Sequence, residues 1–219
     1  MLIIFDLDDT LIDTSGFVTP FKLKESLKKL VHGGLCVSNF EEAYLQLLQM
    51  DRQMLKSSDS LHQFLMKNGG DLSLQSLALQ EMSSPLPEHF QVPTTPHVKE
   101  ILQWLQPLHT LVLVTGGNPP FQMEKLEKAG IDKSIFSNIA IPEDSKKLPV
   151  YKRLLQEFAF PASQVLVCGD RIAMDLLPAH ELGFKTVHMR WGRGKLMETQ
   201  PWVDYTISDL SELKRIIKA

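Results

Sequence analysis

The stretch Leu2-Ile3-Ile4-Phe5-Asp6-Leu7-Asp8-Asp9-Thr10-Leu11-Ile12-Asp13-Thr14 decides how the rest of the chain is read. Leu2 to Phe5 is short and wholly apolar, the pattern of a strand covered on both faces in a parallel sheet. Asp6, Asp8 and Asp9 follow at once. In extended backbone Asp6 and Asp8 fall on the same side, one pleat apart. Carboxylates crowded at the end of a buried strand repel unless a cation or a proton intervenes. Such crowding costs stability and points to chemistry. Thr10 offers a hydroxyl that can tie the turn to the backbone or to a carboxylate. A solvated acidic turn after an edge strand has the same local sequence, so the remaining chain must choose between the two.

The 219 residues, 43% of them hydrophobic, suffice for a sizeable core in one domain, or in one domain with a smaller insert. The net charge is −3 with both signs spread along the chain. No basic cluster suggests nucleic acid, and no acidic tail suggests a disordered arm. Cys36 and Cys168 fit no metal motif, and Cys168 lies in an apolar run where a reduced cysteine acts as a small hydrophobe. A strand beginning at residue 2 leaves no room for a signal peptide, and no apolar run approaches membrane-spanning length. A soluble, cytoplasmic protein is expected.

Between about 17 and 92 the chain reads as helical throughout. Thr19-Pro20 predicts a helix start with threonine as cap, and His32-Gly33-Gly34 its end. Ser38 with Glu41 has the spacing of a capping box for a helix running to about Lys56. Shorter helices are predicted near Leu61–Lys67 and Leu72–Met82. Pro85-Leu86-Pro87 and Val92-Pro93-Thr94-Thr95-Pro96 then read as a linker.

Beyond the linker, strands and helices alternate. Strands are predicted at Leu111–Val114, Ile135–Ile141, Val165–Cys168 and Thr186–Met189, with an edge strand at Val203–Ile207. Alternation argues for a doubly wound parallel sheet with helices on both faces. In such α/β sheets, ligands bind outside the carboxyl ends of the strands. Three groups sit there: Asp6 to Thr10, Thr115-Gly116-Gly117-Asn118, and Gly169-Asp170 with Asp175.

Taken in order, Asp-x-Asp-x-Thr, the threonine Thr115 before two glycines, the pair Lys146-Lys147, and Gly169-Asp170 with Asp175 resemble the four motifs of the haloacid dehalogenase superfamily. Gln122 and Lys125, in the helix after the second motif, also look like this family. The resemblance implies a Rossmann-like core over 1–16 and 93–219 and an α-helical cap over 17–92. It implies Asp6 as the nucleophile that takes a phosphoryl group. Asp8 becomes the general acid and base, and since its first task needs a proton, a raised pKa is expected. Asp6, Asp170 and the Asp8 backbone carbonyl are the expected Mg²⁺ ligands, with Asp175 and Thr10 in support.

Thr115, Gly116, Gly117 and a motif lysine are the expected phosphate contacts. Lys146 is preferred to Lys147 for that lysine, on its spacing to Tyr151. Asp8 argues against dehalogenation, where the leaving halide needs no proton. The expected activity is therefore a Mg²⁺-dependent phosphomonoester hydrolase acting on a small phosphorylated metabolite, with a phosphomutase or a non-catalytic binding protein as alternatives. Arg52 and Lys56 are candidate substrate contacts in the cap, and Arg190, Trp191 and Arg193 candidates at the entrance.

Overall fold

The computed structural model describes residues 1–217. The chain divides into two compact units, one made of Met1–Thr14 with the chain from Pro87 onward, the other of Ser15–Leu86.

The first unit is built on a six-stranded parallel sheet. Its strands are β1 (Leu2–Phe5), β2 (Thr110–Val114), β3 (Asn138–Ala140), β4 (Val165–Gly169), β5 (Lys185–Met189) and β6 (Tyr205–Ile207), in the order β3-β2-β1-β4-β5-β6. β1 is central: Phe5 is level with Leu113 on one side and Cys168 on the other. All four residues of β1 are fully buried, as an apolar run covered on both faces requires. Leu2, Ile4, Val112, Val165, Val167, Tyr151 and Leu154 belong to one core cluster on one side of the sheet.

Among the described residues, five α-helices belong to this unit: α5 (Val98–Leu105), α6 (Pro119–Lys128), α7 (Lys147–Phe158), α8 (Leu177–Glu181) and α9 (Leu213–Ile216). The helical segment between β4 and β5 is divided. A π-helical turn, Ile172–Leu176, precedes α8, and Pro178 lies in the first turn of α8, where a missing N–H costs nothing. β3 is shorter than expected: Ile135 belongs to a 3₁₀ turn over Lys133–Ile135, and the strand runs only from Asn138 to Ala140.

The second unit holds α1 (Thr19–His32), α2 (Phe40–Arg52), α3 (Ser57–Lys67) and α4 (Ser73–Met82), with no strand among the described residues. Leu23, Leu27, Leu30, Leu47, Leu61, Phe64, Leu65 and Ala78 form its core. Lys22 is 1% exposed, and its ammonium donates to the Ser84 hydroxyl at 2.7 Å and to the Ser84 and Pro85 carbonyls. The start of α1 differs from expectation. A π-helical turn over Thr14–Val18 leads straight into α1, so Val18 stands at the cap position and Thr19 is already helical. In α2 the cap is Asn39, whose side chain accepts from the Glu42 N–H at 3.1 Å, one residue later than the Ser38–Glu41 pattern.

The expected insert ended at 92, whereas the second unit closes at Leu86. The intervening segment is tied to the first unit: Val92 is buried and donates to the Lys128 carbonyl, while the Lys128 ammonium donates to the Pro87 and Glu88 carbonyls. The last two positions of the expected core, 218 and 219, lie outside the described residues.

Candidate active site

Asp6 is the first residue beyond β1. Its N–H donates to the Cys168 carbonyl at 2.9 Å, which extends the pairing with β4 by one residue and aligns Asp6 with the end of that strand. Asp170 follows the last residue of β4, and the π-helical turn brings Asp175 back over the strand end. The Asp175 carboxylate caps that turn by accepting from the Arg171 N–H at 2.9 Å. A Cβ added at Gly169 would lie 2.6 Å from the Asp175 Cβ and Oδ2, so only glycine permits this return. π turns of this kind concentrate at functional sites because they aim a side chain that a regular helix would misplace.

Oxygens of Asp6, Asp170 and Asp175 lie within 4.8 Å of one another, and all three residues are buried. Lys147 sits among them, its ammonium 2.5 Å from Asp6 Oδ1 and 2.6 Å from Asp175 Oδ1. Here the structure differs from the sequence reading. Lys146 is not brought to Asp6; its side chain is 75% exposed and 3.7 Å from Asp144. Lys147 opens α7, and Tyr151, four residues on, lies on the same helix face and is 1% exposed. The buried face of α7 therefore carries Lys147 inward and leaves Lys146 on the preceding extended residue.

One cation does not balance three buried carboxylates. Burial pushes the Asp6 carboxyl up to about 7; Lys147 opposes the shift, and Asp175 and Asp8 add to it. Asp170 is raised well above its ordinary value by burial and then by Asp175, Asp6 and Asp9. Burial alone would lower the Lys147 ammonium, but Asp175 and Asp6 hold it well above the usual lysine value. An all-oxygen donor set that retains excess proton affinity fits a hard divalent cation.

Asp8 has a different environment. Its Oδ1 accepts from the Lys125 ammonium and the Thr14 hydroxyl, both at 2.5 Å, and its Oδ2 accepts from the Gln122 amide at 3.0 Å. Burial pushes this carboxyl up, but Lys125, Thr14 and Gln122 together hold it below its ordinary value. The raised value expected for Asp8 is thus corrected: three donors favour its charged form. Its carboxylate is absent from the cluster that could hold a metal.

Thr115 is buried at the end of β2, and its N–H continues the sheet by donating to the Ala140 carbonyl. The Gly116 carbonyl accepts from Gln122 at 2.6 Å, and the Gly117 N–H donates to the Pro142 carbonyl at 3.4 Å rather than standing free for a ligand. Thr10 acts through its backbone: its carbonyl accepts from the Thr95 hydroxyl at 2.7 Å, while its own buried hydroxyl has no hydrogen-bond partner. Arg52 and Lys56 are exposed in the second unit. In the loop after β5, Arg190 donates to the Lys195 carbonyl, and the Lys195 ammonium lies 4.2 Å from the Trp191 ring centre.

The sequence reading does not foresee two contacts at the site, one made by His188 and one by Asp9, which it names only among the crowded carboxylates. His188 is fully buried on β5, and its Nε2–H donates to the Asp170 carbonyl at 3.1 Å. Asp9, at φ 55°, packs against Gly192 so closely that any Cβ there would overlap its carboxylate. Neither has a motif signature, since each acts through backbone that only the folded sheet brings near.

Comparison with known proteins agrees with this architecture. Residues 1–183 match a family described as haloacid dehalogenase-like hydrolase. A glyceraldehyde 3-phosphate phosphatase from Methanocaldococcus jannaschii is 30% identical, covering 99% of this chain and 96% of that protein. Its counterpart from Pyrococcus furiosus is 26% identical over 99% of this chain and 92% of its own. Among solved structures, the magnesium-bound protein YfnB from Bacillus subtilis superposes with a TM-score of 0.73 at 18% identity, covering 100% of this chain and 98% of that one. No helix among the described residues is long and apolar enough to cross a membrane.

Proposed function

The chain belongs to the haloacid dehalogenase-like hydrolase family and is a phosphatase of that family; from that premise we propose that it hydrolyses a small phosphorylated sugar, with Asp6 as nucleophile. The observation that carries this reading is Asp6 itself, held at the end of the central strand between Lys147 and the Asp170–Asp175 pair. In the first step an Asp6 oxygen bonds to phosphorus, the bond from phosphorus to the sugar oxygen breaks, and a proton from Asp8 goes to that oxygen. In the second step a water oxygen bonds to phosphorus while its proton returns to Asp8. The aspartyl-phosphate bond then breaks, Asp6 is regenerated and inorganic phosphate leaves.

Asp8 is held charged in the resting site, so its proton must be gained as substrate arrives. A phosphate dianion placed beside it raises its proton affinity by like-charge proximity. The Lys147 ammonium steadies charge on the transferring phosphoryl group, and Thr115 donates its hydroxyl to a phosphate oxygen. Asp6, Asp170 and the Asp8 backbone carbonyl, with Asp175 alongside, would hold Mg²⁺, which would offset their repulsion and let an anionic carboxylate approach an anionic phosphate.

Glyceraldehyde 3-phosphate is the proposed substrate, since the two relatives above act on it by name and align over nearly the whole chain. The test is phosphate release from glyceraldehyde 3-phosphate and from a panel of other small phosphate esters, with Mg²⁺, with EDTA and in Asp6→Asn. Release from the triose phosphate that both controls abolish is expected. Release only from other esters would sink the substrate assignment, and transfer of phosphate within a sugar without release would make the protein a mutase.

A further inference from the structure

The proposed reaction asks Asp8 to hand a proton to one oxygen and later to take one back, and it leaves open which carboxylate oxygen does so. We propose that Lys125 and Gln122 are positioning residues that fix the Asp8 carboxylate so that Oδ2 is the oxygen that exchanges protons with the substrate. The inference rests on the hydrolase reading of this site.

A carboxylate oxygen offers two lone-pair positions. Both are used on Oδ1, by the Lys125 ammonium and the Thr14 hydroxyl. On Oδ2 only the Gln122 amide donates, which leaves one position open. The orientation of that amide is determined by its surroundings. Its Nε2 also donates to the Gly116 carbonyl at 2.6 Å, and a flipped amide would set its oxygen against two acceptors. Neither side chain is an ordinary surface group, for Lys125 is 3% and Gln122 5% exposed. They stand three residues apart on one face of α6, whose start is capped by Asn118 immediately after the Thr115-Gly116-Gly117 turn. The same helix start that ends the phosphate-side turn thus carries both groups to Asp8. Rotation of Asp8 would break two short hydrogen bonds at Oδ1, one of them from a buried ammonium.

Leaving-group dependence tests this directly. The value of kcat/KM reports steps through formation of the aspartyl-phosphate, and there an alkyl oxygen needs a proton whereas a nitrophenolate does not. Lys125→Met is expected to lose about a hundredfold in kcat/KM on glyceraldehyde 3-phosphate, within the usual range for general acid catalysis. On p-nitrophenyl phosphate the same variant should lose less than about a tenth of that factor. Lys125→Arg, which keeps the charge, should recover part of the alkyl-specific loss. Gln122→Leu carries the same comparison if Lys125→Met does not fold, as judged by circular dichroism. Equal losses on both substrates in a folded variant would make Lys125 a structural tie and overturn the proposal, as would no loss on either. A wild-type protein silent on both substrates and on the whole panel of phosphate esters would sink the hydrolase reading and this one with it, whereas equal losses leave that reading standing.

Discussion

Lys147 and Lys146 are adjacent in sequence and opposite in environment, and the contrast is the sharpest test at the residue scale. Lys147→Met should reduce phosphate release by about 10²–10³-fold, the usual effect of removing one donor aimed at developing charge. Lys146→Met, which alters an exposed side chain, should leave the rate within about twofold and stability within about 0.5 kcal/mol. Reversed outcomes would return the motif role to Lys146. The sequence held the signal that separates them, because only Lys147 shares a helix face with buried Tyr151. It was obscured because the start of α7 could not be placed to one residue. A second test concerns space rather than charge. Gly169→Ala should cost about 1–3 kcal/mol in denaturant unfolding and should displace Asp175, whose Cβ lies where the new methyl must go. An alanine variant of unchanged stability and activity would show that the strand end tolerates a side chain.

At the scale of elements, the sheet was legible and the helix boundaries less so. β1, β2 and β4 announce themselves as apolar runs closed by Asp, Thr or Gly, because a strand buried on both faces carries few polar residues. Helix starts are harder, since a cap depends on one backbone conformation that neighbouring polar residues can equally supply. Ser38-Asn39 shows this: Asn39 adopts the extended conformation and caps α2, although Ser38 and Glu41 have the same spacing as Asn39 and Glu42. Asn39→Ala should therefore destabilise the helical unit by about 1 kcal/mol, and Ser38→Ala by far less. Equal costs in thermal or urea unfolding would refute the assignment. The helical unit is held by its core more than by its caps. Phe64 on α3 is fully buried among leucines of the other helices, and Phe64→Ala should cost about 3–5 kcal/mol.

Across the whole molecule, the carboxylate cluster sets how stability responds to pH and metal. Asp6, raised from 3.8 to about 7, and Asp170, also raised, bind protons more tightly in the folded chain than in the unfolded one. The folded state then holds more protons, so these two groups make stability fall as pH rises from the ordinary carboxylate range through about 7. Protein treated with EDTA should show a thermal midpoint that declines between about pH 5 and about pH 8, and saturating Mg²⁺ should remove the decline. A midpoint in EDTA that is flat or rising over that interval would refute this account. The order of motifs along the chain made the site legible before the fold was known, while His188 and Asp9 were not, because their partners meet them only through strand order. That order also has a kinetic consequence. β1 leaves the ribosome well before the residues that flank it, since Thr110–Leu113 and Val165–Cys168 come more than a hundred positions later. At 5–20 residues per second the central strand waits roughly 5–20 s for its first neighbour. The helical unit, contiguous in sequence and rich in local contacts, can fold within that interval. Between synthesis of the two flanking strands, the edge of β1 that awaits β4 is the feature most exposed to mispairing, and chaperone demand should peak there.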